Sequence, residues 1–231
     1  MEPAAVPAVI TVLFQWCRIM AGLTRRSFLL GGAGLVAARA VPALADTLQP
    51  TPRQTAGPFY PIEKPFDDDS DLTRVAGQEN PARGHITELS GRLLDRNGRP
   101  LNDLRIEIWQ CDVNGRYRHP RDSRDTPIDP GFQGFGHTLT DTRGRYRFRT
   151  IRPMPYPGRT PHIHVAVMPQ GEPPFVTQLY VAGEPRNTQD FLYRRVPEAQ
   201  RQLVTAEFKP TGMTDVELTA EWDIVLGITP A

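Results

Sequence analysis

Proline and glycine punctuate this chain at short, irregular intervals, and that punctuation limits it to short elements joined by many turns. They supply 24 and 19 of its 231 residues, without the fixed period of collagen or the unbroken heptads of a coiled coil. From Gly84 onward, short segments rich in β-branched and aromatic residues lie between the breaks. ITELSGRLLD leads into an Asn97-Gly98 turn, LRIEIWQCD into Val113-Asn114-Gly115, and HTLTD and RYRFRT flank Thr142-Arg143-Gly144. Asn-Gly between such runs is a strong hairpin signal. HIHVAVM, FVTQLYVAG and VELTAEWDIVLG follow. Regular turn spacing with few helical stretches predicts an all-β fold, a β-sandwich of about seven or more strands whose long loops carry function. Only Arg194 to Ala206 reads as helical, and no internal repeat is visible. Residues 46–83, which include TPRQTAGPFYPIEKPFDDDSD, show no sustained periodicity and predict an extended N-terminal arm ahead of a sandwich domain at residues 84–231.

Charge excludes several classes of partner. The chain carries 27 Lys and Arg against 26 Asp and Glu, so no global field points to nucleic acid or to an anionic membrane. The first 45 residues read as an address. TRRSFLL begins at Thr24, GGAGLVAARAVPALA follows without an acidic residue, and Ala43-Leu44-Ala45 closes the stretch. These are the parts of a twin-arginine export signal cleaved after Ala45, with translation starting at Met1 or Met20. Gly31, Gly32, Gly34 and Arg39 make the same stretch a poor membrane-spanning helix. The expectation is a periplasmic or secreted protein with no membrane segment in its mature form. That mature chain has 23 basic and 25 acidic residues, and Cys111 is its sole cysteine, so it has no internal disulfide.

The chemistry concentrates at Thr160-Pro161-His162-Ile163-His164-Val165. A strand has a side-chain period of two, so His162 and His164 share one face and both imidazoles can reach one metal. An imidazole pair suits zinc, copper, nickel or iron, so the remaining ligands must decide among them. No Asp or Glu lies within this run, but one tyrosine lies just before it and a second further upstream. Tyr156 lies in the Pro-stiffened loop Met154-Pro155-Tyr156-Pro157, and Tyr117 follows the second strand. Both could equally be aromatics packing on one end of a sandwich. Ionising a phenol near neutral pH costs about 4 kcal/mol against its ordinary pKa, which a hard trivalent cation can offset. Two phenolates with two imidazoles would make a ferric site. Trp109 faces away from Ile106 and Ile108, toward either a cavity or a core, while His119 and His137 read as ordinary polar positions.

Several segments resemble, in order, the intradiol ring-cleavage dioxygenases, above all the iron-bearing chain of the protocatechuate-cleaving members. They are GPFYP (57–61), GRLLDRNGRPLNDLRIEIWQCDVNGRYRHP (91–120), GFGHTLTDTRGRYRFRTIRPMPYP (134–157), RTPHIHV (159–165) and TQLYVAGEP (177–185). The resemblance implies a non-haem ferric ion, Fe(3+), held by Tyr117, Tyr156, His162 and His164. Tyr156 and His162 would be axial, Tyr117 and His164 equatorial, and a hydroxide would complete a neutral centre. It further implies cleavage of a catechol-type ring by O2, between its two hydroxylated carbons, to a cis,cis-muconate-type diacid. Tyr156 would accept a substrate proton as it leaves the metal, Arg159 would stabilise negative charge developing on the ring, and Gln178 would act as a polar residue behind the ligands.

Departures from the family pattern mark where this chain should differ. Only Gly158 separates Tyr156-Pro157 from Arg159, where protocatechuate enzymes carry a longer, Trp-containing insertion, so the pocket wall must differ. Those enzymes pair unlike chains; this sequence leaves a homo-oligomer or an unlike-chain partner open. Catechol-specific relatives have a helical N-terminal dimerisation domain, which the Pro-rich arm does not resemble. Two other classes compete. A non-catalytic module of the transthyretin-like or carbohydrate-binding kind could share the opening strands, but would need none of the four candidate ligands. A zinc hydrolase built on the two histidines would be colourless and needs a third His or a carboxylate converging on them.

Overall fold

Ile106 and Ile108 alternate with Arg105, Glu107 and Trp109, and this alternation recurs along the chain, giving each strand one apolar face and one mixed face. In the computed structural model, which describes residues 47–227, these runs form strands. They are β1 (Ile86–Leu94), β2 (Arg105–Trp109), β3 (Phe135–Leu139), β4 (Arg145–Ile151), β5 (His162–Met168) and β6 (Phe175–Val181). Four short strands follow: β7 (Thr205–Ala206), β8 (Phe208–Pro210), β9 (Leu218–Glu221) and β10 (Ile224–Val225). The expected export segment, residues 1–45, lies outside the described residues.

Two five-stranded sheets result. In the first, β1 pairs with β4 on one side and with β9 and β10, both parallel to it, on the other, while β8 pairs with β9. The second has the order β3-β2-β5-β6-β7. Leu89, Leu93, Phe148 and Ile151 of the first sheet pack against Ile106, Ile108, Ile163, Val165, Val167 and Leu179 of the second, all essentially without exposed surface. This is the all-β sandwich expected from the turn spacing, with the core between its sheets.

Two local expectations need correction. The run 216–227, read as one strand, divides into β9 and β10 at Trp222-Asp223. There the Trp222 carbonyl turns inward to accept from the Tyr146 hydroxyl, and Asp223 accepts from the backbone N–H of Arg92. The helical segment placed at 194–206 instead comprises α1 (Phe191–Arg195), a 3-10 helix (Glu198–Val204) and β7. Pro197 lies at the break, because its ring cannot donate the hydrogen bond that a continuing α-helix requires. A further 3-10 helix, Pro185–Gln189, precedes α1. Among the described residues no helix is long and apolar enough to cross a membrane.

The extended arm is fastened strand by strand. Thr51 exchanges hydrogen bonds with Val225 of β10, and Gln54 donates its backbone N–H to Val176 of β6. Further on, Asp68 and Asp69 accept from His137 of β3, and Leu72 donates to Arg149 of β4. The arm thereby satisfies edge groups of both sheets. It passes close enough to β3 that a Cβ on Gly136 would lie 2.3 Å from the Asp69 carbonyl oxygen and 2.6 Å from a Leu72 methyl. Gly136→Ala is therefore expected to destabilise the protein by about 1–3 kcal/mol in urea unfolding, and to expose residues 61–75 to proteolysis. Unchanged stability and protection would show that the arm does not press on β3 in this way.

Candidate functional site

The three central strands of the second sheet set out the site by register. Trp109 of β2, His164 of β5 and Gln178 of β6 are cross-strand neighbours, and His162 pairs with Tyr180 in an adjacent row. Directly opposed residues point to the same face, here the face turned away from Ile163 and the main core. His162 and His164 are each 1% exposed, with Nε2 atoms 3.3 Å apart. Two tyrosines close over them from loops. Tyr156 lies 5.5 Å from His162 and Tyr117 6.4 Å from His164, centroid to centroid, and the two phenol rings are 5.5 Å apart. Gly115, at φ +72°, lets the loop before Tyr117 approach the Pro155 carbonyl, which a Cβ would meet at 2.6 Å. All four sequence-predicted ligand residues thus come together at one place.

Burial determines how these groups behave without an ion. It raises the pKa of Tyr117 well above the ordinary phenol value, and raises that of Tyr156 against the opposing charge of Arg159. Burial, helped by Arg159, lowers His162 to about 3; burial, with His162 and Arg159 nearby, holds His164 well below its usual range. Both imidazoles are therefore neutral. His162 Nδ1 donates its proton in a 2.6 Å hydrogen bond to the Thr160 carbonyl, so the lone pair of the neutral ring is on Nε2, facing His164 Nε2.

The donor set fits a cation. Tyr117 Oη, the one buried oxygen of the set without a hydrogen-bond partner, lies among Tyr156, His162 and His164; such an atom calls for an explanation such as an unseen ion. Metal–nitrogen bonds of about 2.1 Å at a right angle would place two donors about 3 Å apart, near the observed separation of the imidazoles. No third His or carboxylate joins them: among the described residues no group of three or more His, Cys, Asp or Glu could hold a metal. Two phenol oxygens and two imidazole nitrogens form a donor set that fits a first-row transition-metal ion.

Arg159 lies beside this set. It is 7% exposed at its side chain and donates from Nε to Asp190 Oδ2 at 2.7 Å and from Nη2 to Gln178 Oε1 at 2.6 Å, while Nη1 lies 3.3 Å from Tyr156 Oη. Burial works against its charge, but Tyr156 and Asp190 more than offset that, so it stays cationic. It also lines a cleft of about 490 Å³ with Tyr156, Gly158, Arg186, Gln189 and Asp190. Gly158, the one residue between Tyr156-Pro157 and Arg159, has φ +79° and open space around a would-be Cβ.

Some neighbours resolve readings left open by sequence, and others were not visible there. Trp109 faces neither the main core nor the cleft, but stacks on His164 at 4.9 Å and 6° between planes. His119 is buried, within reach of the Tyr60 carbonyl, and His137 bonds to the arm at Asp68. Gln178 faces Arg159 and donates to the Thr55 carbonyl. Sequence reasoning missed Asp190 altogether. It also missed the inner arm, where Phe59 stacks on Tyr117 at 4.6 Å and Gly57 leaves space for the His164 ring, which its Cβ would meet at 3.3 Å. The GPFYP motif was the available signal for the arm; Asp190 had none.

Comparison with known proteins agrees with this architecture. A family profile described as Dioxygenase matches residues 55–227. The beta chain of protocatechuate 3,4-dioxygenase from Burkholderia cepacia is 37% identical over 185 residues, covering 75% of this chain and 78% of the relative. Catechol 1,2-dioxygenase from Acinetobacter baylyi is 31% identical over 161 residues, covering 62% of this chain but only 50% of that relative. Among solved structures, the dioxygenase domain of a dioxygenase carbohydrate-binding protein fusion from the cellulolytic bacterium Streptomyces sp. SirexAA-E superposes with a TM-score of 0.62 at 31% identity. It covers 78% of this chain and all of that domain. With a profile spanning three-quarters of its length and a relative of this similarity, the chain belongs to the intradiol ring-cleavage dioxygenase family of oxidoreductases.

Proposed function

We propose that this chain is a non-haem ferric enzyme that cleaves a catechol-type ring with O2, between the two hydroxylated carbons, to give a cis,cis-muconate-type diacid. The observation that carries this reading is the convergence of Tyr117, Tyr156, His162 and His164, with a buried and unpartnered phenol oxygen among them. Bound there, ferric iron would supply a Lewis-acidic centre that makes an ionised catechol reactive toward O2.

The protein's own groups do the rest. His162 offers Nε2 because the Thr160 carbonyl holds its other proton. Tyr156 lines the cleft, and its phenol, once ionised by a bound metal, would be the group to accept a proton from an incoming catechol hydroxyl. Arg159 directs Nη1 at that same oxygen, so its charge stabilises the ionised phenol and negative charge building up on a ring bound beside it. Trp109 and Phe59 cover His164 and Tyr117 and keep water from their outer faces. All four candidate ligands come from one chain, so ion binding needs no partner. The reading admits a homo-oligomer or an unlike-chain partner, which light scattering distinguishes. We also propose that the chain reaches the periplasm or exterior by the twin-arginine route.

Protein purified with ferric iron is expected to be red-brown from phenolate-to-metal charge transfer, with Tyr117→Phe and Tyr156→Phe shifting or abolishing the band. Each should also lower turnover beyond the roughly 10–100-fold typical of residues one shell out from a metal. A colourless, fully iron-loaded protein would refute the ligand set. With a panel of catechols, one O2 should be consumed per diacid formed; cleavage beside the diol rather than between its oxygens would refute the reaction. Replacing Arg25 and Arg26 together by Lys should keep the chain in the cytoplasm by fractionation, and undiminished export would refute that route.

A further inference from the structure

Asp190 is the best-connected buried carboxylate near the cleft, and its two oxygens serve different parts of the fold. Oδ1 accepts from the backbone N–H groups of Leu192 and Tyr193, capping α1. Oδ2 accepts from Arg159 Nε at 2.7 Å and from the backbone N–H of Thr160 at 2.9 Å. The carboxyl is 0% exposed at its side chain, so no water substitutes for these donors. Next to it, Thr160 Oγ1 donates to Asn187 of the 3-10 helix at 2.7 Å. The segment 185–195 is thereby fastened to the stretch that carries Tyr156, Arg159 and His162.

We infer that Asp190 is a positioning residue for the ring-cleavage reaction, aiming the Arg159 guanidinium so that Nη1 faces the Tyr156 oxygen at the inner end of the cleft. The inference rests on the proposed function. A guanidinium is planar with donors in a fixed fork, so fixing two of its nitrogens directs the third. Asp190 fixes Nε and Gln178 fixes Nη2, which leaves Nη1 aimed at Tyr156 Oη. Gln178 alone would leave the plane free to turn about a single hydrogen bond. Asp190 makes no hydrogen bond to any of the four candidate ligands; its bonds to Arg159 and Thr160 reach the site, and its charge is felt at Tyr156 and His162.

The test compares Asp190→Asn, Arg159→Lys and the double variant, each normalised to bound iron. Asn keeps the size and one acceptor but must turn an amide N–H toward either Arg159 or the helix cap. Turnover per iron should fall about 10–100-fold in D190N, with a shifted phenolate band. Adding D190N to R159K should cost less than about a further threefold, since both remove the same alignment. In metal-free protein, urea unfolding of the same set should show coupling between the two sites. Multiplicative losses, or a D190N enzyme with wild-type turnover and band, would overturn the inference. Should D190N fail to fold, Asp190→Glu keeps the charge but moves it by one methylene. The same loss per iron and band shift are expected of it, and wild-type behaviour would again overturn the inference. Failure of the parent protein to cleave any catechol would instead refute the function on which this rests.

Discussion

Two neutral imidazoles that present nitrogen to nitrogen in a dry interior, with two un-ionised phenols over them, form a group in which protein contacts leave the Tyr117 oxygen unsatisfied. The Thr160 carbonyl commits His162 to directing a lone pair inward, and burial denies Tyr117 any solvent partner. Removing water from such donors is costly without a compensating partner. A cation among them would pull both phenols toward ionisation and give every lone pair a use. Much of the surrounding structure follows from holding this set together: the strand register, the glycine at 115, the prolines around Tyr156 and the aromatic cover.

The positive charge of Arg159 complements that set without competing for it. It stands beside Tyr156, the one ligand candidate that also lines the cleft, and opposes the effect of burial on that phenol. Its own burial is tolerable because Asp190 and Gln178 occupy its other donors. A buried ion pair is often a weak source of stability; here it orients a charge toward a chosen atom.

How much of this was legible in the sequence depends on how local the cause is. His162 and His164 could be paired from strand period alone, because alternation is a property of the backbone. Turn residues located the first six strands, since Asn-Gly and Arg-Gly carry their own conformational preference. The split of the last run at Trp222 could not be read, because it depends on a carbonyl meeting Tyr146 from a distant strand. The helix placed at 194–206 was misjudged because its apolar pattern spans Pro197, and the missing donor there outweighs the pattern. Asp190 is 31 positions from Arg159 and looks like any turn residue. The inner arm lacked periodicity, and its GPFYP motif marked the segment without showing that Phe59 would lie against Tyr117.

The arm's fastening has a consequence for the order in which the molecule assembles. Gln54 bonds to the Gln178 carbonyl and to the Tyr180 hydroxyl, 124 and 126 positions further on. Contacts so distant must close large loops before they return any energy, and they form late. As a ribosome releases the chain, the stretch that roofs the two imidazoles has no partner until β6 has emerged. The cavity beneath it is thus completed by a piece of polypeptide made first and seated last.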